Sequence, residues 1–367
     1  MPEHDVIIVG AGIVGLAHAL AAAKRGKKVL VLDRDAQANG ASIRNFGFVT
    51  VTGQDRQRVW KLAVRTAAIW REVAPQAGIR IEQEGQLLVA QRAEAEAVLN
   101  EFLGTDMAEG CTLLAPDAIA ERYPMVRNAR AGLLSSHDLR VDSPIAIPQL
   151  SRWLAQAHGA EIRYGVAVHG IEAGKVHSTS GTFEADVVIA CPGDDWATLF
   201  PDQYTDAGVV RCKLQMLKLA APGWRLPSPL MADLSMVRCA GLTDLPSAGA
   251  LRARLEAEEA QALANGIHVI VVQGADGSLV VGDSHHYSRT PDPFASTEVD
   301  DLLLAKYADV LGQPPAVLAR WTGTYASASG HSLITAPAPG VRLVVITGGT
   351  GASTAFALAE DVISDLF

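Results

Sequence analysis

Three stretches of this 367-residue chain carry residue types that can do chemistry. The first is Gly10-Ala11-Gly12-Ile13-Val14-Gly15, with glycines spaced GxGxxG. In that spacing Gly10 permits a tight turn, Gly12 lets backbone approach a pyrophosphate, and Gly15 lets a helix pack close on a strand. A helix opening at Ile13 and Val14 would aim N–H groups and a positive dipole end at the phosphates. Asp33, with Arg34 beside it, lies 18 residues past Gly15, where a carboxylate accepts from ribose hydroxyls. An acid there repels a 2′-phosphate, which disfavours NADP and leaves FAD or NAD.

The second stretch is Ala41-Ser42-Ile43-Arg44-Asn45-Phe46-Gly47. Ser42 can hydrogen-bond an oxyanion, and Arg44 and Asn45 can donate to an anionic group. The plain alternative for Arg44 is a surface ion pair. The third stretch is Gly282-Asp283-Ser284-His285-His286-Tyr287. Adjacent histidines on extended chain point to opposite faces, so one of the two should meet a pocket, to bind an anion or steer a proton. No third ligand stands at a metal-binding spacing, so no metal is expected.

The elements that must position these stretches follow from the apolar pattern. Asp5–Val9 and Lys28–Leu32 read as buried parallel strands around an alanine-rich helix, Ile13–Arg25. Helices are predicted over Gln54–Val73, Glu94–Glu109, Pro144–His158 and Ser247–Asn265. Ile79–Ala90 reads as two short strands. Further strands are predicted at Glu161–Val168, Phe183–Ala190, Val209–Leu219, His268–Gln273, Ser278–Val281 and Leu343–Ile346. Nucleotide-type signals at both ends and in the middle imply a discontinuous nucleotide domain, 1–78, 145–210 and 316–367. A second domain is inserted as 79–144 and 211–315. The net charge of −9 argues against nucleic acid and anionic membrane, though not against a small anion in a local basic pocket. Four scattered cysteines, no leader pattern and no long apolar run predict reduced thiols and a cytoplasmic location.

Later segments resemble, in order and along essentially the whole chain, the D-amino-acid oxidase-like flavoproteins, which include glycine and sarcosine oxidases. Val187–Trp196, with Cys191, Gly193 and Trp196, is similar to their apolar-run-then-A-x-G-x-W segment. Gly165–Ile171 resembles their G-x-x-V-x-x-I segment, with Val166 and Val168 toward the adenine end. Arg320–Tyr325 resembles their W-x-G strand, and Gly348-Gly349-Thr350-Gly351-Ala352-Ser353 their C-terminal glycine loop. The resemblance implies an α/β fold: a Rossmann-like FAD-binding domain with an inserted, mainly antiparallel β-sheet plus helices. It implies FAD, with the C-terminal loop stabilising negative charge on the reduced ring.

Two departures are informative. No cysteine stands near Thr324, so FAD is expected to be non-covalent. Tyr325 occupies the neighbourhood where glycine and D-amino-acid oxidases carry a carboxylate-binding arginine. The pairing of S-x-R-N-F-G with G-D-S-H-H-Y resembles a subgroup associated with aminophosphonate catabolism. Arg44, His285, His286, Tyr325 and Lys213 are then the donors available for an oxyanion, with Arg211 on the face of Lys213. The expected reaction is hydride transfer from a small anionic amine to flavin N5, imine hydrolysis, and reoxidation by O2 with release of H2O2. The alternatives are a glycine, sarcosine or D-amino-acid type oxidase, a dehydrogenase with another acceptor, or a nucleotide-binding regulatory protein. A homodimer is left open.

Overall fold

Unbroken apolar runs build the first of two sheets. The computed structural model describes residues 3–367. β1 (His4–Val9) pairs in parallel with β2 (Val29–Leu32) on one side and with Gly181–Ala190 on the other. Val341–Ile346 and Glu161–Arg163 extend the parallel order outward, and Ser332–Thr335 closes one edge antiparallel. Val6, Ile8, Val29 and Val31 bury one face under α1 (Ile13–Lys24) and the helices Ser143–His158 and Gly351–Leu366. Ile7, Val9, Leu30 and Leu32 bury the other face under the hairpin Val168–Glu172 and Lys175–Ser178. Both faces are covered, which is why these strands do not alternate in sequence.

The second sheet has ten strands and is mostly antiparallel. Val210–Leu219 is its hub. It pairs along its length with Val317–Ser327, and on its other edge with Leu279–Gly282 and then His286–Ser288. The sheet continues through Ile270–Gln273, Leu230–Met231, Ile81–Ala90 and Ala131–Val141 to Phe48–Val49. Val317–Ser327, expected in the first domain, hydrogen-bonds into the second sheet. Phe48–Val49, expected in the first domain, also joins the second sheet, through Ala131–Val141.

Several element boundaries differ from the sequence expectations for local reasons. Ile81–Ala90 is one strand, irregular in register near Gly85, which takes φ 73°. The stretch 161–168 is divided at Gly165, at φ 72°, which ends one strand before the next begins. The helix expected over 94–109 stops at Phe102, and that over 247–265 breaks at Glu259. The helix expected from Gln54 begins at Val59. The sequence reading leaves the strands Cys111–Leu114, Ala131–Val141 and Ser332–Thr335 and the helix Thr297–Leu311 unassigned. Among the described residues no helix is long and apolar enough to cross a membrane, and no cluster of ligating side chains could hold a metal. The four cysteines are free thiols.

His18, wholly buried in α1, donates from Nδ1 to the Val14 carbonyl at 2.7 Å, and its Nε2 has no partner among the described residues. Burial lowers its pKa from 6.5 to about 4. The unfolded chain therefore takes a proton that the folded chain refuses, and stability is lost as pH falls from 6.5 toward 4. At about pH 5 the loss is about 2 kcal/mol relative to neutral pH. His18→Leu should shrink the fall in denaturant stability between neutral pH and about pH 5 by that amount. An unchanged pH slope would refute the assignment.

Candidate active site

The glycines of the first motif are required by contact. Gly10 turns at φ 106°, and a Cβ there would lie 2.5 Å from the Cys191 carbonyl oxygen. A Cβ on Gly15 would lie 1.8 Å from the Gly10 carbonyl oxygen, so only glycine lets α1 start this close to β1. A Cβ on Gly12 would lie 2.9 Å from Ser42 Oγ. Asp33, just past β2, accepts from the Ala11 N–H at 2.6 Å and the Asp35 N–H at 2.9 Å. Burial raises its pKa against the pull of those two donors. Arg34 reaches across to Asp195 at 2.6 Å, linking the loops that follow β2 and Gly181–Ala190.

The loop 41–47 is braced at nearly every residue. Ser42 Oγ accepts from the Ile13 N–H at 2.9 Å, so it caps α1 and one N–H expected to face a phosphate is already bonded. Asn45 donates to the Ala41 carbonyl and accepts from the Gly47 N–H and Ser143 Oγ, which makes it a strut of the loop. The Arg44 carbonyl accepts from Trp321 Nε1 at 3.4 Å, while its guanidinium donates to Asn39 Oδ1 at 3.2 Å. Phe46 packs on Gly282, where a Cβ would come within 3.2 Å of its ring. The loop therefore touches both halves of the molecule.

From here a cavity of about 1280 Å³ runs from the glycine turn to the second sheet. That exceeds the roughly 300–1,000 Å³ of ordinary small-ligand sites. At its far end Gly348, Gly349 and Thr350 lead into the helix Gly351–Leu366, and Thr350 Oγ1 is buried without a partner among the described residues. Tyr325 lies against Gly349, 3.7 Å from where a Cβ would stand. Tyr325 and Tyr287 both stand opposite Cys212 in strand register, so the three share one face. Burial raises the Tyr325 pKa well above its ordinary value, so its hydroxyl remains a donor. Burial pushes the Cys212 thiol up to about 11.

The remaining wall is formed by a bulge. Gly282 stands opposite Met216 and His286 opposite Lys213, so three residues face two. The extra residue turns both Asp283 and His285 to the cavity. His285 donates from Nδ1 to the Gly266 carbonyl at 2.9 Å, and its Nε2 lies 3.7 Å from Asp283 Oδ2. Burial, then Arg238, lowers the His285 pKa to about 3, so the ring is neutral. Burial pushes the Asp283 carboxyl up to about 7, with Arg238 opposing, and its Oδ1 has no partner among the described residues. Arg238 lines the same wall and donates to Tyr287 OH at 3.4 Å. His268 stands behind, 6.1 Å ring to ring from His285, its pKa lowered by burial and then by His285 and Arg238.

The cavity thus gathers Gly10, Gly12, Ile13, Val14, Gly15, Asp33, Arg34, Ser42, Arg44, Asn45, Val166, Val168, Cys191, Gly193, His285, Tyr325 and Gly348 to Ala352. Five of the expected residues are not among those lining it. His286 turns to the opposite face and bonds Asn265 Oδ1, and Lys213, beside it in register, is held by Asp292 and the Phe294 carbonyl. Trp196 lies under Arg289, and Ser353 receives the Thr50 N–H. Arg211 pairs with Asp194 in a separate recess that also holds Lys213. Arg238, His268 and Asp283 also line the cavity, and no motif or spacing in the sequence marks them.

Residues 5–365 match the family described as FAD dependent oxidoreductase. Monomeric sarcosine oxidase of Arthrobacter sp. (strain TE1826) is 25% identical over 209 residues, 52% of this chain and 51% of that protein. The matched stretch thus spans about half the length of that curated relative. Glycine oxidase from Bacillus cereus ATCC 14579 superposes with a TM-score of 0.78 at 17% identity, covering 100% of this chain and 96% of that one. L-alpha-glycerophosphate oxidase from Mycoplasma pneumoniae, solved with FAD bound, gives 0.76 at 16% identity over 99% and 94%. The glycine contacts, Asp33 and the free N-terminus of Gly351–Leu366 fit such a dinucleotide. Gly15→Ala should abolish FAD retention, with the purified protein losing its visible flavin band. A variant as yellow as the wild type would refute the close approach.

Proposed function

We propose, for a chain that belongs to the FAD dependent oxidoreductase family, that it oxidises the C–N bond of a small amine bearing an anionic group. The preferred substrate class is an aminophosphonate related to 2-aminoethylphosphonate, primary or N-methylated, with O2 as the acceptor. For a primary amine the balance is R–CH2–NH3⁺ plus O2 plus H2O giving R–CHO, NH4⁺ and H2O2. FAD, when bound, supplies the acceptor for the hydride leaving the α-carbon.

One observation carries this reading. The same cavity is lined by a dinucleotide cradle at one end and by Arg238, His285, Tyr287 and Tyr325 at the other. A wall that offers guanidinium and phenol donors suits a tetrahedral oxyanion. Tyr325, kept protonated beside Gly349, has a hydroxyl to donate where the cradle and that wall meet. Leu214, Met231 and Ile270 also line the cavity and would present apolar surface to a bound substrate. Positioning carries most of the chain's task, because the bond chemistry is the cofactor's. Arg44 adds positive potential at the loop that joins the two ends.

The test is anaerobic mixing of the yellow protein with 2-aminoethylphosphonate, its N-methyl derivative, glycine and sarcosine, followed by admission of O2. Bleaching by the phosphonates, with recovery and one H2O2 per aldehyde, is expected. Bleaching by glycine or sarcosine alone would replace the substrate class, and bleaching without recovery in O2 would replace the acceptor. Arg44→Ala should keep FAD and raise KM for the anionic amine about twofold to fivefold, since its guanidinium is already bonded and half exposed. An unchanged KM would remove Arg44 from the site.

A further inference from the structure

Among the arginines lining the cavity, Arg238 stands beside the bulge. It makes no ion pair with a carboxylate among the described residues. Its one side-chain hydrogen bond there is the 3.4 Å contact with Tyr287 OH. It is seated by Gly266, at φ 59°, where a Cβ would lie 3.2 Å from Nη1 and 2.9 Å from the His285 Cβ. Any side chain at Gly266 would displace both Arg238 and His285. On the same wall Asp283 is 5% exposed, and its Oδ1 faces no donor among the described residues. A buried carboxyl oxygen without a hydrogen-bond partner and a guanidinium without an ion-pair contact, on one wall of one cavity and within each other's field, are complementary to a ligand that carries both charges. A buried carboxyl oxygen left unpaired is costly in a folded chain unless a ligand completes it.

We infer that Arg238 binds the oxyanion and Asp283 the ammonium of a zwitterionic substrate, so that this pair selects short amines carrying an anionic group. The inference rests on the amine-oxidising reading above. It assigns the anion to Arg238, not to Arg44, because the Arg44 guanidinium is turned to Asn39 at the loop. Tyr287 adds a second donor to the oxyanion. His285 stays neutral with its Nδ1 committed to Gly266, and so adds no competing positive charge at the ammonium end. The two sites demand a short spacing between charges, and longer diamines and neutral amines lack one or the other partner. Phosphonate and carboxylate share this chemistry, and the assay separates them.

The holoenzyme and its Arg238→Met, Arg238→Lys and Asp283→Asn variants are titrated calorimetrically with 2-aminoethylphosphonate, ethylphosphonate and propionate. Steady-state kinetics are run in parallel with 2-aminoethylphosphonate and with ethanolamine as a neutral amino alcohol. Each variant is first checked for its flavin band and melting temperature. Arg238→Met should weaken ethylphosphonate on the order of a hundredfold and raise KM with little change in kcat. Arg238→Lys should restore part of the loss, and the preference in kcat/KM for 2-aminoethylphosphonate over ethanolamine should fall in Arg238→Met about as far as ethylphosphonate binding does. Asp283→Asn should weaken 2-aminoethylphosphonate while leaving ethylphosphonate unchanged. Tighter binding of propionate than of ethylphosphonate, lost in Arg238→Met, keeps the anchor and makes the anion a carboxylate. Wild-type affinity in Arg238→Met overturns the anchor, as does a wild-type protein that binds neither anion. Equal weakening of both phosphonates by Asp283→Asn overturns the ammonium site. Arginine-dependent anion binding without any amine turnover would overturn the proposed reaction and leave the inference standing.

Discussion

Everything in this molecule depends on a place where three backbones come too close for side chains. At the carboxyl ends of β1 and Gly181–Ala190, Gly10 fits under the Cys191 carbonyl and Gly15 fits over the Gly10 carbonyl. This contact lets α1 begin directly above the strand and opens space over the strand ends for a dinucleotide. Asp33 holds the turn from the side by accepting the Ala11 N–H. The same carboxylate that would meet a ribose also orders the glycine turn, so cradle shape and cofactor recognition share one residue.

The loop 41–47 carries that geometry to the second sheet. It caps α1 through Ser42, receives Trp321 through the Arg44 carbonyl, and presses Phe46 on Gly282. Behind it, buried Asp138 accepts the Val51 and Thr52 N–H groups and the Thr52 hydroxyl, while Arg140 donates to the Phe46 and Gln273 carbonyls. These buried charges are satisfied by backbone groups, which sets the path of the loop more tightly than apolar packing alone would.

Legibility differed between the halves for physical reasons. Parallel strands covered on both faces leave continuous apolar runs, and glycine spacing records backbone contact directly, so the cradle could be read residue by residue. The strand Ala131–Val141 escaped because Ser135, Asp138 and Arg140 are polar yet buried, which breaks the alternation expected of a half-buried strand. Which of His285 and His286 meets the cavity depended on the bulge, and a bulge leaves no mark in apolar periodicity. Arg238 follows a four-residue helix and meets Tyr287 across 49 residues of chain. No local pattern could connect them.

The bulge at Asp283–His285 has an evolutionary meaning as well as a geometric one. Side chains on a strand alternate, so one residue more or less there exchanges the set that looks into the cavity while the rest of the sheet keeps its pairing. A single-codon insertion or deletion would withdraw Asp283 or His285 and present a neighbour, leaving the cradle untouched. The length of this segment, as much as its residue types, therefore decides which side chains the cavity wall presents.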